Sequence, residues 1–128
     1  MLSGLVEFAV YFWPITLLLL LHGMAALVLS FQNIRPRHVG DSLLPFIFPF
    51  SIILVGHLFW YGGTRASAPK APVIAANLMF IAQVLISFYL VYRCKGVRWF
   101  MTAACLMAIW LGLINLFLVG MALTNVWL

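Results

Sequence analysis

The chain has 128 residues, 66% hydrophobic and 7% charged, with seven Lys/Arg against two Asp/Glu and a net charge of +5. Its mean hydropathy is +1.18. Soluble domains are about 45–50% apolar and about 25% charged, so this composition excludes an ordinary water-soluble domain, a disordered chain and a disulfide-stapled secreted module. It predicts an all-α, polytopic integral membrane protein.

A spanning helix needs about 20 mostly apolar residues. Stretches at 6–31, 43–61, 72–92 and 99–123 meet that length, and short gaps join them into a single domain over 1–128. Short connections favour antiparallel neighbours, so the expectation is four transmembrane helices in an up-down-up-down bundle. The opening MLSGLVEF lacks a basic n-region, so the first run is expected to be a mature span and not a signal peptide.

In the first stretch, Pro14 either kinks the helix or marks its start near Trp13, leaving residues 1–12 along the interface. Glu7 is the one acid outside a gap. It reads as an interfacial carboxylate or, alternatively, as a proton-coupling group. At about 1.5 Å per residue, His22 sits about 20 Å from the outer face, with Gln83 of the third stretch near that level. The gap at 32–42, QNIRPRHVGDS, carries Arg35, Arg37 and a solvated His38.

Pro45 and Pro49 fall in the first turns of the second stretch, or else that helix starts near Pro49 and PFIFPF is interfacial. The same rise puts His57 about 9 Å below the outer surface, Asn77 about 8 Å and Asn115 about 9 Å. Polar groups inside a bilayer are costly, so this layer around His57 is a candidate site. Its bonds either hold the bundle together or line a small cavity for a proton, a quinone headgroup or another small ligand. The amides themselves have no redox or nucleophilic chemistry.

The gap at 93–98, RCKGVR, is a tight basic hairpin in which Arg93 and Lys95 flank Cys94 and favour its thiolate. In the last stretch Thr102, Cys105, Ala108, Gly112 and Asn115 recur at spacings of three and four, with Ala122 seven further on. That face is small or polar throughout and is expected to pack closely on another helix, of this chain or of a partner.

Basic residues confined to short gaps are topology signals and contacts for anionic lipid headgroups, not a nucleic-acid surface. Gaps one and three hold five Lys/Arg and the middle gap holds two. The positive-inside rule therefore puts 32–42 and 93–98 in the cytoplasm and both termini outside. The absence of a transit peptide leans towards a bacterial plasma (inner) membrane.

Zinc-protease, serine-hydrolase and Walker signatures are missing, as are paired carboxylates and any Cys/His metal cluster. The sequence therefore leans away from an enzyme. The first expectation is a non-catalytic small membrane subunit that packs into and stabilises a larger complex with other membrane subunits. An alternative is a homo-oligomeric small transporter or channel built on the His57 layer. Another is a haem b- or quinone-associated anchor of a respiratory-type complex. His22 and His57 differ in depth by about 12 Å, so one haem bridged by both within one chain is disfavoured. Each would need a ligand from a partner.

Overall fold

In a computed structural model, residues 11–59 and 70–124 are described, and among them helix dominates and no strand occurs. The order is α1 (Trp13–Ser30), α2 (Pro36–Leu43), α3 (Ile47–Phe59), α4 (Lys70–Arg93) and α5 (Arg98–Thr124). Tight 3-10 turns occupy Phe31–Asn33, Leu44–Phe46 and Lys95–Val97. Four stretches are long and apolar enough to cross a membrane: Trp13–Asn33, Pro36–Phe59, Lys70–Arg93 and Lys95–Leu123.

Proline placement explains the starts. Pro14 falls in the first turn of α1, where a missing N–H breaks no helical bond. The Thr16 hydroxyl donates to the Phe12 carbonyl at 3.1 Å and closes that turn. The helix Trp13–Ser30 thus starts with Pro14 in its first turn, just after a turn at Phe12. Residues 6–10 of the expected span, Glu7 with them, lie outside the described residues. Pro36 opens α2 in the same way, and Pro45 opens the turn that leads into α3.

The first gap is a correction to the sequence reading. Most of 32–42 is helix, not loop. The Arg35 N–H donates to His38 Nδ1 at 3.3 Å, while the Arg35 carbonyl accepts from the His38 and Val39 N–H groups. That reciprocal cap starts a helix in a segment whose Pro, Gly and charges suggested a turn. With the Leu44–Phe46 turn, α2 runs on into α3 as one apolar stretch from Pro36 to Phe59.

The centre of the molecule is α5, which touches α1, α3 and α4. Along α4 the buried positions are Pro72, Ala76, Gln83, Ser87 and Leu90, and along α3 they are Pro49, Ile52 and Gly56. These spacings of three, four and seven trace one stripe on each helix. Two apolar clusters result. One gathers Leu90, Cys94, Val97, Met101 and Cys105 near the α4–α5 turn. The other gathers Ile52, Ala76, Val119 and Leu123 towards the opposite end.

The small-residue face of α5 is used inside the chain. Cys105, Ala108, Gly112 and Asn115 are buried, and Thr102 is half-buried. A Cβ on Gly112 would collide with the Gln83 amide, and a Cβ on Gly56 would collide with the Val119 side chain. Helices approach this closely only where one partner lacks a side chain. The outer surface is apolar, with Leu18, Val28, Leu29, Leu58, Leu85 and Phe88 all exposed.

The Gly56–Val119 contact gives a direct test. Gly56→Ala should lower stability by about 1–3 kcal/mol through overpacking, read as thermal unfolding of the detergent-solubilised chain. Adding Val119→Ala should recover part of that loss, because it removes the atoms the new methyl meets. Additive losses in the double variant would contradict the close contact.

Candidate functional site

Two groups of residues carry chemistry: polar side chains inside the bundle, and charged side chains at one end of it. The interior group is organised by α5. Gln83 is 0% exposed, and its Nε2 donates to the Ala108 carbonyl at 2.6 Å. Asn115 is 2% exposed, and its Nδ2 donates to the Pro49 carbonyl at 2.9 Å. The Cys105 thiol donates weakly to the Ser87 carbonyl at 3.6 Å. In each pair a side chain reaches a backbone carbonyl of a neighbouring helix, so the bonds fix helix register. Gln83 Oε1, Asn115 Oδ1 and Ser87 Oγ are buried without a protein partner. Such groups are normally met by an ordered water.

The expected polar layer does not assemble within one chain. Asn115 is buried, but His57 and Asn77 are exposed, and the Asn77 amide turns back to the Val73 carbonyl of its own helix at 2.8 Å. The reason is angular. Equal depth puts residues at one level, but facing is set by position on the helical wheel. His57 follows the buried Gly56, and Asn77 follows the buried Ala76. One residue is about 100° around the helix at 3.6 residues per turn, which takes both side chains off the packed face.

His22 and Gln83 also part company. The His22 and Trp99 rings meet in a T-shaped contact, centroids 6.3 Å apart, and His22 Nε2 is buried without a protein partner. Gln83 is at Ala108, about 14 Å further along α5 by helical rise. The two imidazoles thus occupy separate surroundings, His22 beside Trp99 and His57 on an outward face. Among the described residues no group of three His, Cys, Asp or Glu side chains is placed to hold a metal ion.

The charged group is assembled by packing. At the end of α4 the Cys94 N–H donates to the Leu90 carbonyl at 2.9 Å, and the Val97 N–H donates to the Cys94 carbonyl at 3.2 Å. Val97 and Cys94 are buried in the cluster with Leu90 and Met101. Ile34, just before α2, packs on that same cluster. This apolar contact helps draw the start of α2 against the α4–α5 turn. It brings Arg35, Arg37, His38 and Asp41 around one open cleft of about 390 Å³ with Arg93, Cys94, Lys95 and Gly96. Four cations face one carboxylate there. Arg98, adjacent in sequence, does not line it.

Cys94 corrects the charge argument made from its neighbours. Burial pushes its thiol above the ordinary range, Asp41 pushes it further, and Arg93 and Arg37 pull it back only in part. Desolvation outweighs the flanking cations. Sequence reasoning also passed over Asp41 and Ser87. The signal for Asp41 was its place one turn beyond Arg37 in a segment able to be helical. The signal for Ser87 was its four-residue spacing from Gln83.

No protein-family model matches the chain, and neither a curated protein nor a solved structure matches it significantly.

Three outcomes follow from this arrangement. Asn115→Ala should destabilise the chain by about 1 kcal/mol or more, through the lost bond and the cavity left behind. His57→Ala should leave unfolding within about 0.5 kcal/mol, as for an exposed position. In a Cys105→Ala background, alkylation of Cys94 should follow a pH profile displaced upward from that of the unfolded chain. The raised thiol favours the folded state at neutral pH, and that contribution falls as pH climbs through the thiol range. A coincident profile would remove the desolvation argument.

Proposed function

We propose that this chain is a small integral membrane subunit that packs into and stabilises a larger membrane protein complex. Its four apolar stretches cross the bilayer up-down-up-down. The two basic segments, 32–42 and 93–98, face the cytoplasm and both termini lie outside, as the distribution of Lys and Arg favours. A bacterial plasma membrane is the setting.

One observation carries the reading. His57 and Asn77 sit on exposed faces of two stretches long and apolar enough to cross a membrane. A polar side chain turned to lipid is costly, and a polar partner on a neighbouring helix relieves it. The interior supports the same view, because Gln83 and Asn115 are already engaged with backbone carbonyls of this chain. Gln83 and Asn115 are also enclosed, so the polar side chains a neighbouring subunit can reach are His57 and Asn77, whose amide returns one bond to Val73.

The test begins with gentle extraction of the native assembly, followed by its mass and the identity of co-migrating chains. Other membrane proteins should travel with this chain in fixed ratio. His57→Leu with Asn77→Leu should weaken its retention about five- to tenfold, at about 0.6 kcal/mol or a little more per interhelical bond, with helix content unchanged. Wild-type chain running alone, or full retention of the double variant, would overturn the reading. A pure homo-oligomer whose reconstituted flux disappears in His57→Ala would put the transporter reading in its place.

A further inference from the structure

We infer that the cleft between the start of α2 and the α4–α5 turn binds a phosphate-bearing anion, with the phosphodiester headgroup of an anionic phospholipid as its source. The lipid source rests on the membrane reading above; the anion chemistry does not.

Three observations converge. The first is composition. Arg35, Arg37, Arg93 and Lys95 line one cleft against the single carboxylate of Asp41. Among the described residues none of these cations is held in an ion pair within 4.0 Å, and Arg35, Arg37, Arg93 and Lys95 are all exposed side chains with free donors. Four cations around one cleft against a single carboxylate make it positive, which favours an anion there. The second is shape. A cleft of about 390 Å³ lies within the roughly 300–1,000 Å³ of small-molecule sites. It is built on a fixed floor, since Cys94 is buried and the backbone on either side is tied by the bonds at Leu90 and Arg35.

The third is position. The cleft lies where the stretch Pro36–Phe59 begins and the stretch Lys70–Arg93 ends. In a chain that crosses the bilayer this is headgroup level, where a phosphodiester is fixed with its acyl chains alongside the apolar helices. Guanidinium forks match the paired oxygens of a phosphate, and Lys95 adds a point charge. Asp41 narrows the preference. It opposes a densely charged anion more than a phosphodiester carrying one negative charge.

The full-length chain, purified in a neutral detergent, would be measured by native mass spectrometry against phosphatidylglycerol, phosphatidylcholine and inorganic phosphate in turn. The expected result is a single retained phosphatidylglycerol, preferred over phosphatidylcholine. Arg37→Gln with Arg93→Gln should weaken it by about tenfold or more, from the loss of two charge-assisted contacts. Arg37→Lys should fall between, because it keeps the charge and loses the fork. Arg98→Gln should have no effect, since it changes net charge equally without touching the cleft.

Both cleft positions are exposed, so the variants should fold, and circular dichroism checks that they do. If inorganic phosphate binds and displaces the lipid, the phosphate chemistry stands and the lipid source falls. Equal retention of the two lipids, or equal losses in the cleft variants and Arg98→Gln, would overturn the inference and leave only a diffuse basic surface. Resistance of the chain to alkaline carbonate extraction, measured separately, isolates the membrane reading. A chain that stays in the membrane without the lipid preference defeats this inference alone.

Discussion

The contact on which the rest depends is the close approach of α4 to α5, where the Gln83 side chain lies against the bare backbone of Gly112. In a largely apolar bundle the hydrophobic effect gives little reason for one register over another, since a Leu-rich surface fits many alignments. A buried amide does discriminate. With Gln83 bonded to the Ala108 carbonyl, Ser87 falls opposite Cys105 and Leu90 packs with Met101. A slip of one turn would bury the amide against a side chain and leave its donor unmet. The second amide, Asn115, bonds Pro49 and does the same for α3. Two hydrogen bonds, individually modest, thereby set two helix alignments around α5.

That register reaches the charged end of the molecule. Because Leu90 and Met101 pack together, the turn at Lys95–Val97 is short and Val97 is driven into the interior. The cluster so formed is the surface on which Ile34 packs. The convergence of Arg35 and Arg37 with Arg93 and Lys95 is thus an outcome of apolar packing, against the mutual repulsion of the cations. Electrostatics alone would separate them. A cleft lined in this way favours an anion within it.

Much of this could be read from the residues, and the part that could not has a definite cause. The long apolar runs and the small-residue spacing on α5 are properties of one helix at a time, and periodicity reports them directly. The buried state of Cys105, Ala108, Gly112 and Asn115 follows the stripe traced in the sequence. The His57, Asn77 and Asn115 layer went differently because depth along an axis was used without the angle about it. The helix at Pro36–Leu43 was hidden by its Pro, Gly and charges, each of which is ordinarily a turn signal. It forms because a cap at Arg35 and His38 supplies the bonds that its composition lacks. The cleft is half visible in the sequence, because the basic gaps are evident there, but their meeting involves Ile34, whose role is a long-range contact.

The polar groups are also divided along the helices in a way that bears on function. The cleft lies where α2 begins and α4 ends. His57 is near the far end of α3, and Asn77 lies in the first two turns of α4, so both belong to the half remote from the cleft. The interior is tied by Gln83 near the middle of α4 and by Asn115 towards the remote half, and their bonds fix the register. A mobile carrier needs helices that slide or rock about a weakly held centre. Here the centre carries the hydrogen bonds between helices, while His57 and Asn77 face away from it. That distribution favours a part fitted into an assembly over a device that moves by itself.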